Sequence, residues 1–348
     1  MRTSHQALYE FGQSFLAPML NHYTRELLEH SAGHRPVCLA REGWVFFKLL
    51  NHLSKANLIE LPHAPCYLKV SRTLLFRSML GEEGSWEIAL KHHFKGTVLN
   101  LLMKRFGLQL HEAFALLPAE LLGFSLRLPD DIEKVIGWLA PHGKRLHDHV
   151  APTREALQHY LKQEGLLDKT PVPLMLDLGY AGTIQKLLTK MTERDTAGLY
   201  FIANSPGDTT VGKARAHMRG VFRENVKWSE GYVMLERSLL LESLMTAPHG
   251  QVVDMRLRTD GTLDFFYGRM AAPQRYYQDL ETVLQGAMDG VEEGFRLGIQ
   301  YSVEEIEAIY ASFALPPSAI PKSAWHLFNI DDDFSGNGVI NPTQLFGL

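Results

Sequence analysis

Cysteine is nearly missing from this 348-residue chain. Its two thiols, Cys38 and Cys66, cannot by themselves build a disulfide framework or a zinc site. Each lies in a short apolar run, so both read as buried and reduced. A basic excess is also missing: 35 Lys and Arg stand against 39 Asp and Glu, a formal net charge of −4. That balance argues against nucleic acid as a partner, because phosphate backbones select for clustered positive charge. No apolar stretch is long enough to span a bilayer, and the run Leu239-Leu240-Leu241 is bracketed by Glu236 and Glu242. The first thirty residues lack the basic start, apolar core and small-residue cleavage site of a leader, so the expected location is cytoplasmic. Walker loops, Gly-x-Ser-x-Gly elbows and a Cys/His nucleophile context are absent as well.

What is present is ample hydrophobic material, 45% of the residues, enough for a large buried core. Leu8, Phe11, Phe15, Met19 and Tyr23 recur at helical spacing. A short apolar run follows, Val37-Cys38-Leu39-Ala40, broken by Arg41-Glu42-Gly43, and from Trp44 the helical period resumes. A second run, Cys66 to Val70, closes at Ser71-Arg72. Pro173-Leu174-Met175-Leu176 ends at Asp177, with a helix expected from Thr183, and Gly198 to Ala203 ends at Asn204. Short apolar strands separated by helices predict an α/β fold with a parallel sheet covered on both faces. Residues 86–163 read as a large helical insertion. Leu257 to Tyr267 reads as a hairpin around Asp260-Gly261, and Pro273–Ile299 and Glu304–Phe313 as further helices. The predicted organisation is an α/β core over residues 1–250 and a hairpin and helical C-terminal extension over 251–348.

Ligands of parallel sheets sit beyond the strands' C-terminal ends. Three polar tips fall there: Arg41-Glu42-Gly43, Ser71-Arg72 and the loop Asp177-Leu178-Gly179-Tyr180-Ala181-Gly182-Thr183. Gly179 and Gly182 let the backbone approach a ligand, and a helix start with free amides favours phosphate. Thr183 can cap the helix or bond a phosphate oxygen, and the Asp177 carboxylate suits ribose hydroxyls or Mg²⁺. Methyltransferases carry a second acid where Asn204 stands. Sugar kinases place Asp-Leu-Gly inside a hairpin, whereas a helical period follows Thr183. The sequence of parts is most similar to type I phosphoribosyltransferases, with a pyrophosphate turn at Arg41-Glu42-Gly43 and a basic strand end at Arg72. That family has two adjacent acids in its last loop, and here the second position is Leu178.

Leu39-Ala40-Arg41-Glu42-Gly43-Trp44, Tyr67 through Arg72 and Asp177 through Gln185 together resemble a further group. These are haloacid-dehalogenase-superfamily-like proteins associated with bacterial surface-polysaccharide glycosyltransferases. Softer echoes are Phe15 through Pro18, Arg154 through Tyr160 and Glu242 through Gly250. The resemblance spans about Phe11 to Gly250 and implies a cytoplasmic protein of surface-glycan assembly, partnered by a glycosyltransferase. The strand ending at Arg41 lacks the Asp-x-Asp of dehalogenase-type phosphatases, so that chemistry is not expected.

The resulting expectation is a phosphoribosyltransferase-like (Rossmann-like) domain that binds a phosphorylated sugar or nucleotide-type ligand. Asp177 and Glu42 are the candidate catalytic residues, with Asp177 also a Mg²⁺ ligand. Arg41, Gly43, Ser71, Arg72, Gly179, Gly182, Thr183 and Gln185 are the candidate binding residues. Phosphoribosyl or glycosyl transfer would suit these parts, since a leaving pyrophosphate needs charge stabilisation more than a nucleophile. The alternative is a non-catalytic binding or regulatory module serving a glycosyltransferase, which exposed apolar surface on residues 86–163 would favour. Asp333 to Gln344 has EF-hand-like spacing without the terminal glutamate and reads as a solvated turn. The histidines at 142, 147 and 149 read as a surface cluster, with zinc the weaker alternative, and the pair His92-His93 as a solvated helix face, with phosphate contact the alternative.

Overall fold

In the computed structural model, which describes residues 2–348 and their side chains except those of Arg2, Thr3, Glu83 and Ser85, the apolar runs become strands. They are β1 (His34–Leu39), β2 (Cys66–Leu68), β3 (Phe94–Thr97), β4 (Ser125–Leu128), β5 (Val172–Asp177) and β6 (Thr196–Ala203). After them come β7 (Gly207–Val211), β8 (Ala214–Glu224), β9 (Val252–Leu257), β10 (Leu263–Tyr267), β11 (Ile330–Asp332) and β12 (Gly338–Ile340). Six strands form the central sheet in the order β2-β1-β5-β6-β8-β7. All its pairings are parallel except that of β7, which returns antiparallel to β8 at the edge. The protein is therefore α/β with a mostly parallel sheet.

Side chains alternate across the sheet as strand geometry requires. Cys38, Leu174 and Leu176 join a core with the N-terminal helices, the helix Gly43–Lys55 and the long helix Tyr277–Leu297. Val37, Leu39, Leu68 and Met175 face the other way, into a core built with the helices of residues 83–163 and the helix Thr183–Thr192. The C-terminal helices thus share a core with the first thirty residues. Two glycines permit that packing: a Cβ on Gly12 would lie 1.8 Å from the Val283 carbonyl oxygen, and one on Gly286 would lie 2.0 Å from that of Tyr9. Both cysteines are buried and unpaired. No described helix is long and apolar enough to cross a membrane.

Two parts of the sheet and one of the insertion depart from the sequence reading. Strands β7 and β8 were not anticipated, because β8 alternates buried and exposed residues and so lacks a continuous apolar run. Within the helical insertion, β3 and β4 form a small antiparallel hairpin. Each has only four residues, too few to impose a period.

Candidate functional site

Chain direction reverses within the sheet between β1 and β5: from β1 the chain steps to β2 on one side, then returns to β5 on the other. Loops leaving neighbouring strands in opposite directions open a crevice at their C-terminal ends. A cleft of about 430 Å³ occupies this place. It is lined by Arg41 and Glu42 after β1, Arg72 after β2, Asp177 through Ile184 after β5, and Tyr200 and Asn204 of β6 and its end. Glu242, from the helix Leu239–Leu244, closes one side, and Asp331, Asp332 and Ser335 of the C-terminal hairpin close another.

The Asp177 loop is shaped by its glycines. Gly182 adopts the left-handed conformation, φ 63°, at the N-cap of the helix Thr183–Thr192, and no side chain caps that end. A helix start without a cap presents amides that no intrahelical carbonyl can satisfy, together with the positive end of the dipole. Gly179, at φ 135°, passes so close to β6 that a Cβ would stand 2.3 Å from the Ile202 carbonyl oxygen. Both glycines are therefore required by backbone geometry alone.

Arg72 begins the helix Arg72–Ser78, whose N-cap is Ser71. Its guanidinium carbon lies over the Phe334 ring, 3.9 Å from the centroid. Neither Arg72 nor Arg41 places its guanidinium in a hydrogen bond or ion pair among the described residues. Burial lowers the Arg72 pKa, while Glu242, Asp332, Glu42 and Asp177 oppose that effect. Two cationic side chains in one cleft, neither in an ion pair among the described residues, suit an anion.

The carboxylates are perturbed in the opposite sense. Burial, then the charge of Glu42, pushes Asp177 well above the ordinary carboxylate range, although its Oδ1 accepts the Leu178 amide at 2.8 Å. Burial and Glu42 raise Glu242 to about 7, against the hydrogen bond from Tyr180 and the charges of Arg72 and Arg41. The Tyr180 hydroxyl donates to Glu242 Oε1 at 3.1 Å. Asp331 is also raised, by burial and then by Asp333, and its buried Oδ1 has no hydrogen-bond partner among the described residues. Asn204 Oδ1, at the end of β6, is likewise without one. His92 is held down to about 4 by burial and by Arg72 and Arg105, so it is neutral at pH 7.

Of the residues expected from sequence, Arg41, Glu42, Arg72, Asp177, Gly179, Gly182 and Thr183 are brought together at the cleft. Three are placed elsewhere. Gly43 lies against the β1 backbone, where a Cβ would meet the Cys38 carbonyl carbon at 2.5 Å. Ser71 is buried, accepting the Leu74 amide and donating to the Val252 carbonyl. Gln185 is buried under the loop, donating to the His217 carbonyl and accepting the Tyr200 hydroxyl at 2.8 Å. It supports a cleft wall without facing the cleft. His92, read as a surface position, is instead a cleft residue.

Sequence reasoning missed Tyr180, Tyr200, Trp228 and the acids Glu242, Asp331 and Asp332. Tyr180 lay inside the Asp177 loop motif and Tyr200 inside a predicted strand without being singled out, and Glu242 carried a signal only as the start of a soft family echo. Among the described residues, no group of three or more His, Cys, Asp and Glu side chains is arranged to hold a metal ion. No protein-family model matches the chain, and no curated protein matches it significantly.

Proposed function

We propose that the cleft binds a phosphorylated sugar or nucleotide-type ligand, in the manner of a phosphoribosyltransferase-like domain. The observation that carries this reading is the convergence of the uncapped helix start at Gly182-Thr183 with the guanidinium of Arg72, which stacks on Phe334 and makes no hydrogen bond or ion pair among the described residues. A phosphate is accommodated by both through charge and hydrogen bonding. Hydroxyls of the same ligand would then meet Asp177, Glu42 and Asp331. Trp228, half exposed at the rim beside Tyr180, offers an aromatic face to a sugar or base. Magnesium is compatible with the absence of a three-carboxylate cage, because it is commonly held by one or two carboxylates plus ligand phosphates. Asp177 and Glu42 would be its protein ligands. Phosphoribosyl or glycosyl transfer is the reaction that these parts would suit, and surface-polysaccharide assembly is the context that the family resemblance implies.

Thermal unfolding of the whole chain against phosphoribosyl pyrophosphate, nucleotide sugars and sugar phosphates, with and without Mg²⁺, tests the reading. A ligand at a hundredfold excess over its dissociation constant stabilises the native state by about 2.7 kcal/mol. Stabilisation by one phosphorylated compound, lost in Arg72→Met, is the expected result. No stabilisation by any of them would overturn it.

One observation favours a second reading, a binding module that partners a glycosyltransferase. Met103, Leu110, Phe114 and Phe124 of the insertion are 37–52% exposed. Co-purification with a glycosyltransferase that is lost in Leu110→Ser/Phe114→Ser would support this alternative.

A further inference from the structure

The walls of the cleft divide by their chemistry. Its acids, Glu42, Asp177, Glu242, Asp331 and Asp332, come from the ends of β1 and β5, the helix Leu239–Leu244 and the C-terminal hairpin. The wall made by β6 and the turn after β8 brings no charged group: its lining residues are Tyr200, Asn204 and Trp228. The Tyr200 hydroxyl is engaged by Gln185 Oε1 at 2.8 Å, and that of the neighbouring Tyr180 by Glu242 Oε1 at 3.1 Å. The Asn204 carboxamide is not engaged. Neither of its polar atoms makes a hydrogen bond among the described residues, and Oδ1 is closed off from solvent as well. An oxygen so placed is destabilising until a donor reaches it, and the terminal torsion of asparagine is soft enough to turn toward one. Tyr180 joins this group to Trp228: its carbonyl accepts the Asn204 amide at 2.9 Å, and its ring meets the indole edge-on, centroids 6.1 Å apart. Trp228 is 50% exposed at the rim.

We propose that this wall is a base subsite, so that the ligand of the cleft is a nucleotide. A sugar ring needs several hydrogen bonds for its hydroxyls, which the acidic walls offer and this one does not. A nucleobase is the reverse: it has apolar faces that stack on an aromatic ring, and a polar edge that a carboxamide meets with one acceptor and one donor together. The base lies on Trp228, an N–H of its edge donates to Asn204 Oδ1, and Asn204 Nδ2 donates to the acceptor beside it. The ribose hydroxyls then face the acids, and the phosphate faces the helix start at Gly182-Thr183 and Arg72. This rests on the phosphate-binding reading of the same cleft, and it selects a nucleotide over a bare phosphorylated sugar.

The test is calorimetric titration of the full chain at neutral pH, without and with Mg²⁺. It compares inorganic pyrophosphate, ribose-5-phosphate and glucose-1-phosphate with ADP, CDP, GDP and UDP. At least one nucleoside diphosphate should bind about tenfold more tightly than pyrophosphate, and Trp228→Leu should reduce that ratio by about tenfold. Asn204→Ala should level the affinities of the nucleoside diphosphates. If none of them binds more tightly than pyrophosphate, the base subsite is overturned while the phosphate reading stands. A Trp228→Leu loss confined to glucose-1-phosphate would also overturn it, giving the indole to a sugar. Base preferences that persist unchanged in Asn204→Ala would refute the part assigned to Asn204. No binding by any of these compounds would remove the phosphate reading and the subsite together.

Discussion

Replacing Arg77 by Met is expected to destabilise the protein more at neutral pH than in acid. Arg77 is 1% exposed and sits where three elements meet. It pairs with both Glu112 oxygens at 2.8 and 3.1 Å, lies 3.2 Å from Asp254 Oδ1, and donates to the Gly107 carbonyl at 2.8 Å. Removing one partner of a buried ion pair costs about 3–5 kcal/mol, because the remaining charge is left uncompensated. Glu112 gives a second measure. Burial pushes its pKa up, but hydrogen bonds from Arg77, the Gln109 amide and His149, with the charge of Arg77, hold it down to about 2. Against an ordinary value of 4.5, at about 1.4 kcal/mol per unit, this is at most about 3 kcal/mol, which Arg77 shares with Gln109 and His149. The two figures agree in scale. A depressed carboxylate contributes stability above its unfolded pKa and loses it as pH falls through its folded value. The gap between wild type and Arg77→Met should therefore be full at pH 7 and narrow from about 4.5 toward 2. Urea denaturation at pH 7 and pH 3 measures it. A gap below about 1 kcal/mol at pH 7, or one that is unchanged at pH 3, would refute the charge-pair account.

Two other substitutions test the packing. Gly12→Ala drives a methyl into the Val283 carbonyl and should cost about 3 kcal/mol or more, whereas Gly137→Ala, in an open helical position, should be neutral or stabilising by up to about 1 kcal/mol. Similar denaturation midpoints for both would contradict the close helix crossing. Arg105→Met leaves the carbonyls of Ala89, His92, His93 and Phe334 without their donor, and hydrogen exchange across residues 330–340 should accelerate. Unchanged exchange there would show that Arg105 does not hold the C-terminal hairpin against the insertion.

The parallel core was legible because its strands are buried on both faces and read as continuous apolar runs ending in polar residues. Val37 to Leu39 and Leu174 to Leu176 gave both the strands and the position of the cleft. The strand ends near in sequence to those runs, Arg41, Arg72 and Asp177, were found for that reason. The acids opposite them were not: Glu242 had only a soft family echo to mark it on a short helix, and nothing local distinguishes Asp331 and Asp332 in a turn-rich tail from solvated surface residues. Asp331 and Asp332 reach the cleft on the C-terminal hairpin, which follows the long helix Tyr277–Leu297 packed against the N-terminal helices. Gln185 shows the converse: it lies inside the loop motif, yet the first turn of its helix points it down into Thr196, His217 and Tyr200.

The charge of the cleft constrains how an anion can enter it. Five acids, Glu42, Asp177, Glu242, Asp331 and Asp332, line it with two bases, Arg41 and Arg72. Were all seven ionised, a phosphate would meet a net negative cleft despite the helix start and the arginines. Two routes relieve that conflict. Protons can remain on the raised carboxyls, which is the direction in which burial has already moved Asp177, Glu242 and Asp331. A divalent cation can arrive with the phosphate instead. The routes differ in sign: proton-relieved binding strengthens as pH falls through 7 and takes up protons. Cation-relieved binding strengthens as pH rises and releases them, because metal and proton compete for the same oxygens. Pyrophosphate titrations repeated with excess Mg²⁺ therefore separate the two routes by the direction of the proton flux.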